Sequence, residues 1–270
     1  MTASHGTSTP RIAVIVGARS KHDKYGDSAG LSAHIRWGLG GALALRFAQE
    51  YTVVLMGRSA KDLAPVAEEV ARQGGHAVPI ACDVTDDRSV DQAFAQASTL
   101  GRIEVMVFNV APPFPPEVTL ANLPLPHEID PAYLQRGFDI GVTGALRCVR
   151  AVIGSMLDAG RGTILLTGAT AALRGGASFA AMSPIKFGLR SLGQSLFQAY
   201  ASRGVHVAHV VIDGPIDSPG LRALFEGQEV AFLDPGELAE AYVMLANQPA
   251  SCWSHELQLT PNRASIGTRL

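Results

Sequence analysis

Short apolar runs alternate with amphipathic stretches from Arg11 almost to the end of the chain, and this alternation limits the fold more than any other feature. The runs are Ile12-Ala13-Val14-Ile15-Val16, Tyr51-Thr52-Val53-Val54-Leu55-Met56, His76 to Ala81, Val105-Met106-Val107-Phe108, Thr163 to Thr167, Val205 to Ile212 and Glu256 to Leu259. Consecutive apolar positions, many of them β-branched, are the pattern of strands covered on both faces. Between them, Gly41 to Glu50, Lys61 to Gln73, Asp87 to Ser98, Pro131 to Ala159, Pro184 to Ser202 and Pro235 to Asn247 read as helices. Thr85 is placed to cap the third of these. The alternation predicts right-handed βαβ crossovers and hence an α/β fold, a doubly wound parallel sheet of about seven strands with helices on both faces. Ligands of such sheets bind beyond the carboxyl ends of the strands.

Two segments break the rhythm. One is Lys21 to Trp37. The other is Ala111 to Pro131, whose seven prolines remove backbone donors and stiffen the chain into an extended loop. No repeat or linker divides the rest, so residues 11–270 are expected to form one domain with an insertion at 21–37, after a polar, disordered lead-in at 1–10. A chain of 270 residues, 47% of them hydrophobic, can bury one large core. A net charge of -2 without a basic stripe argues against nucleic acid. No run approaches the roughly 18 apolar residues of a membrane span. Cys82, Cys148 and Cys252 are scattered and read as small buried residues in a reducing cytoplasm. Lys21 to Asp27 mixes histidine with acids, but at no spacing that suits a metal.

The turn after the first run carries a ligand signal. Val16-Gly17-Ala18-Arg19-Ser20 is followed, beyond the 17 residues Lys21 to Trp37, by Gly38-Leu39-Gly40-Gly41-Ala42. Glycines there let the backbone approach a pyrophosphate, and the N-terminus of the following helix stabilises its charge. With the insertion removed, the turn resembles the T-G-x-x-x-G-x-G fingerprint of the short-chain dehydrogenase/reductase family, which has a Rossmann-type fold. Further marks follow in order. Cys82-Asp83-Val84-Thr85 is similar to the D-V segment beside the adenine, and Phe108-Asn109-Val110-Ala111 to the family's N-N-A-G. Asp213-Gly214-Pro215-Ile216-Asp217-Ser218 is similar to the P-G-x-I-x-T turn beside the nicotinamide. The resemblance implies that Gly17, Arg19, Ser20, Gly38, Leu39, Gly40, Asp83, Val84, Asn109, Ile216 and Ser218 hold a dinucleotide. At the end of the second run, Gly57 stands where NAD-binding members place an acid, and Arg58 follows it. An arginine can pair with a 2′-phosphate, which favours NADP(H) over NAD(H).

The family's catalytic tetrad is Asn, Ser, Tyr and Lys. Lys186 matches the lysine, which in the family holds the nicotinamide ribose and lowers the tyrosine pKa. Four residues earlier, on the same helical face, the tyrosine position is Met182, whose thioether has no proton to give. The serine position, thirteen residues before it, is Ala169, with Thr170 adjacent; the asparagine position is Gly141. Ser183, Thr170, Ser178, Tyr133, Lys186 or a water held by it, and Tyr25, His22 or His34 of the insertion are candidate substitute donors. Pro184 implies that the helix bearing Lys186 starts at Met182 or Ser183.

The resemblance therefore implies an NADP(H)-dependent oxidoreductase with a non-standard donor, acting on a small carbonyl or alcohol. Leu221, Leu224, Phe225, Val230 and Phe232 in the lid region 218–234, together with Phe114, point to a hydrophobic substrate. The alternatives are a non-redox catalyst such as a cyclase or isomerase, and an inactive NADP(H)-binding sensor or partner subunit. In the family the helix bearing Lys186 packs on a second subunit. The stripe Leu189, Leu192, Leu196 and Phe197 thus suggests a homodimer or homotetramer, or else burial within one subunit. Trp253 and His255 read as core or interface residues.

Overall fold

The computed structural model describes residues 9–19, 28, 30–114, 118 and 122–263. Seven parallel strands form one sheet: β1 (Arg11–Val16), β2 (Thr52–Gly57), β3 (His76–Ala81), β4 (Arg102–Phe108), β5 (Gly162–Thr167), β6 (Val205–Ile212) and β7 (Glu256–Leu259). Their spatial order is β3-β2-β1-β4-β5-β6-β7. The order reverses between β1 and β4, which opens a crevice at their carboxyl ends. The central strands are buried on both faces, as their continuous apolar runs require. Pro79, which cannot donate to a ladder, lies on the edge strand β3.

Two apolar layers sandwich the sheet. Helices α1 (Ala33–Phe47), α2 (Ala60–Arg72) and α8 (Pro235–Ala246) cover one face, with Leu43, Phe47, Val66 and Tyr242 among the residues they bury. Helices α3 (Asp87–Thr99), α5 (Gly144–Asp158) and α6 (Ser183–Tyr200) cover the other, burying Phe94, Val149, Met156 and Leu189. Two shorter helices, α4 (Pro131–Phe138) and α7 (Pro219–Leu224), follow β4 and β6 in the chain. A π turn over Asp139–Thr143 joins α4 to α5. The resulting helix Pro131–Asp158 is long and apolar enough to cross a membrane by composition alone, contrary to the expectation that no segment would be. Here Ala145, Cys148 and Val152 of its inner face lie in the core against the sheet.

Other expectations meet the structure in detail. The cap of α3 is Asp86, whose carboxylate accepts from Arg88 N at 3.0 Å, while the Thr85 hydroxyl turns back to Asp83 at 2.7 Å. Of the stripe on α6, Leu189 and Leu196 are buried within this chain, and Leu192 and Phe197 pack against the same core. Cys82 and Cys148 are buried but Cys252 is exposed. Burial raises the Cys82 thiol to about 11, so it stays protonated. Pro10 is bound to the sheet's lower edge, its carbonyl accepting from Arg102 N at 2.9 Å. Residues 1–8 lie outside the described residues.

Candidate active site

The turn after β1 is built on close backbone contacts. Gly17 has φ +84, and a Cβ there would lie 2.8 Å from the Asn109 carbonyl oxygen. A Cβ on Gly40 would lie 2.6 Å from Gly17 O and from the Ala18 carbonyl carbon. Only glycine fits both places. Asn109, just beyond β4, donates its side-chain amide to Gly17 O at 3.0 Å, which ties the two strand ends at the crevice together. Gly38 has φ 60 and ψ -165 inside α1, so Ala33–Trp37 and the segment from Leu39 onward are two helical pieces. The insertion therefore ends in a helical turn, with Trp37 packed on the core. Ser20 and residues 21–27 and 29, which include Tyr25 and His22, lie outside the described residues. His34 packs beside Gly236 at the start of α8, outside the site around Lys186.

Cations gather at the end of β2. Arg58 is exposed, and Ser59 beside it caps α2, its hydroxyl accepting from Asp62 N. Arg19 reaches the same helix end and donates to Asp62 O at 3.0 Å. Asp83 accepts from the Thr85 amide and hydroxyl; those bonds, with help from Arg58, hold its carboxyl below the ordinary range. Val84 is buried and packs on Gly144. At the far side, Ile216 bridges to Leu233, and Ser218 is a 2% exposed cap of α7. Asp217 grips Arg222 through two bonds of 2.7 Å. A turn that a Cβ would block and a helix N-terminus suit the pyrophosphate of a dinucleotide.

At the catalytic positions, α6 begins at Ser183 with Met182 as its cap, because Pro184 fits only in a first turn. Lys186 is 8% exposed and donates Nζ to the Thr167 carbonyl at 2.9 Å. Gly141 lies in the π turn, and a Cβ there would sit 2.6 Å from Ile185 Cγ2. Ile185 thus fills the room an asparagine would need. Ala169 is extended and offers only a methyl group. The Thr170 hydroxyl donates to the buried Asp213 at 2.6 Å, and Asp213 also accepts from Gln258. Ser183 donates to Arg174 O at 3.3 Å. Both hydroxyls are thus committed to partners inside the protein.

A cavity of about 30 Å³ opens between Pro112, Phe114, Tyr133, Met182, Ile185 and Lys186. It is large enough for one water. Its polar side chains are Lys186 and Tyr133, and burial raises the Tyr133 phenol above its ordinary value. The structure also brings to the site a group that the sequence reading left out. His209 in β6 is fully buried, with Nδ1 3.1 Å from Glu256 Oε2. Its signal in the sequence was one of two histidines, His206 and His209, within an otherwise apolar run.

The family profile described as short chain dehydrogenase matches residues 36–229, starting where the insertion ends. The cis-4-hydroxycyclohexanecarboxylate dehydrogenase of Sinomonas cyclohexanicum is 30% identical over 251 residues, 89% of this chain and 91% of that protein. The crystal structure of a short-chain dehydrogenase from Rhodopseudomonas palustris superposes with a TM-score of 0.72 at 28% identity, covering 93% of this chain and 98% of that one. A metagenomic short-chain oxidoreductase in complex with NADP shares the fold, at a TM-score of 0.72 and 22% identity, over 94% of this chain and 98% of that one. The glycine turn, the buried Lys186 and these matches together place the chain in the short-chain dehydrogenase family.

Proposed function

We propose that the protein is an NADP(H)-dependent oxidoreductase that interconverts a carbonyl compound with a hydrophobic frame and its alcohol, with Tyr133 as proton donor. The observation that carries this reading is the cavity shared by Lys186, Met182 and Tyr133. NADPH, when bound, supplies the hydride to the carbonyl carbon. Gly17, Gly40 and the amides near Leu39 receive its pyrophosphate, Arg58 and Arg19 its 2′-phosphate, and Lys186 its ribose. Tyr133 gives the proton to the carbonyl oxygen, the role that Met182 cannot fill. The phenol is protonated at neutral pH, and burial, by raising its pKa, makes it a weaker acid than the family's lysine-assisted tyrosine. The Sinomonas relative acts on a hydroxylated cyclohexane ring, so a cyclic ketone is the first substrate class to screen. The probe is 4-oxocyclohexanecarboxylate with NADPH or NADH. Tyr133→Phe should lower kcat by roughly 10²–10⁴-fold while NADPH affinity stays unchanged. Full activity in that variant would remove Tyr133 from the mechanism.

A second reading, an NADP(H)-binding protein without turnover, is favoured by the methyl, hydrogen and thioether groups at Ala169, Gly141 and Met182. Tight NADPH binding with no turnover across a carbonyl panel would select it. In either case Phe138, Leu146 and Phe187, each 36–39% exposed on neighbouring helices, supply the face for a second copy of the chain. Light scattering should find a dimer or larger, and Phe187→Asp should shift it toward monomer.

A further inference from the structure

His209 occupies the middle of β6, a strand buried along its whole length, and is itself 0% exposed. A polar ring in such a place costs free energy unless its nitrogens are used. Nδ1 faces Glu256, its register partner on β7. Burial works against the Glu256 charge, but bonds from Arg190 and His209 hold its carboxyl below the ordinary range. Glu256 is therefore an acceptor, and Nδ1 must carry the ring proton. That leaves Nε2 as a bare acceptor, with no hydrogen-bond partner among the described residues. It is aimed at the backbone of Gly168: a Cβ on that glycine would lie 2.4 Å from Nε2 and 2.6 Å from Cε1.

Gly168 is half of the peptide group that anchors Lys186. The other half is Thr167, whose carbonyl receives Nζ at 2.9 Å. The ring edge thus lies beside Gly168 at one end of the peptide while the ammonium holds its oxygen, and the Gly168 amide donates to Val210 O at 2.7 Å. Arg190, one turn beyond Lys186 on α6, closes the circuit by gripping both Glu256 oxygens at 2.7 and 2.6 Å. Strands β5, β6 and β7 and helix α6 all meet at this ring.

We infer that His209 is a positioning residue for Lys186: its Nδ1–H bond to Glu256 ties β6 to the Glu256–Arg190 pair and holds the ring beside the Thr167–Gly168 peptide whose carbonyl receives the ammonium. The cations of Lys186 and Arg190, added to burial, keep the ring uncharged against the pull of Glu256. A protonated Nε2 would carry a hydrogen toward Gly168, and Nε2 has no hydrogen-bond partner among the described residues.

The test begins with the cofactor-free full-length protein. Lys186 is labelled with trinitrobenzenesulfonate and followed by peptide mass spectrometry, with exposed Lys61 as internal control. In His209→Phe the ring keeps its bulk but loses both nitrogens. Lys186 should then label about threefold to tenfold faster, the net worth of one hydrogen bond. His209→Asn keeps a donor for Glu256 and should label at close to the wild-type rate. Unchanged labelling in His209→Phe, alongside a lowered Tm, would make His209 a packing residue only. Should that variant not fold, Glu256→Ala removes the acceptor for Nδ1 and reads the same quantity, and an unchanged rate there likewise overturns the inference. The second arm rests on the NADP(H) reading: His209→Phe and Lys186→Met should weaken NADPH binding non-additively, whereas additive losses count against coupling. A wild type that binds neither NADPH nor NADH would sink the proposed function and leave the labelling result standing.

Discussion

Single residues carry the departures of this site from its family. Met182, Ala169 and Gly141 look like independent losses in the sequence, yet Gly141 is bound up with Ile185, whose side chain occupies the missing amide's room. Gly141→Asn should therefore destabilise by about 1–3 kcal/mol through overpacking, and adding Ile185→Ala should recover most of that, as read by Tm. Met182 has no such obstacle. In a Tyr133→Phe background, Met182→Tyr together with Ala169→Ser should restore carbonyl reduction by about tenfold or more; no gain would mean that α6 no longer presents position 182 to the substrate. Arg58 is exposed and charged, so Arg58→Ala should weaken NADPH by about tenfold and leave NADH unchanged in parallel titrations. His209 has a pH signature. Its folded pKa is depressed to about 4, chiefly by burial. Stability is full above the unfolded value near 6.5 and falls as the unfolded chain takes up a proton that the folded one refuses. The total is about 3 kcal/mol, of which about 2 are lost by pH 5. Glu256, depressed in its turn by Arg190 and His209, loses its contribution in the same direction at still lower pH. Melting curves at pH 7 and 5 should show a drop that is markedly smaller in His209→Asn.

At the scale of elements, the strands were the legible part. Their continuous apolar runs have no competing explanation in a chain of this composition, and β3, β6 and β7 span the residues the runs named. Helix ends were less legible, because caps depend on which of several neighbouring polar side chains turns inward. At α3 both Thr85 and Asp86 could cap, and the Thr85 hydroxyl went to Asp83 instead. The π turn within Pro131–Asp158 left no mark in the apolar pattern, since inserting one residue's worth of slack changes register without changing composition. Nor could periodicity say whether the stripe on α6 faces a partner or its own sheet. In this chain Leu189 and Leu196 are buried against the sheet, while Leu192 and Phe197 stay partly exposed.

For the whole molecule, the position of the site follows from strand order alone. Once β1 and β4 are neighbours, the glycine turn, Asn109, the end of β5 and the start of α6 converge on one crevice. The sequence motifs named most of the residues there. They could not reveal the His209–Glu256–Arg190 circuit, because it joins residues 66 positions apart that only the sheet register brings together. Tyr133 was one of several candidate hydroxyls in the sequence. In the structure Thr170 and Ser183 bond to Asp213 and Arg174 O, while Tyr133 lines the cavity with Lys186.

The break at Gly38 has a consequence for the insertion. Had Ala33–Phe47 run as one continuous helix, the amides of Leu39, Gly40 and Gly41 would be consumed by the carbonyls one turn before them, and the positive end of the macrodipole would lie back at Ser32, away from the crevice. The left-handed backbone at Gly38 splits it into two dipoles in series, and the second keeps its own positive end beside Gly17. Gly38 is thus the insulator that lets the chain carry extra residues inside a phosphate-binding turn without silencing it. Gly38→Ala, measured by circular dichroism and nucleotide titration, should lose NADPH affinity with no loss of helix.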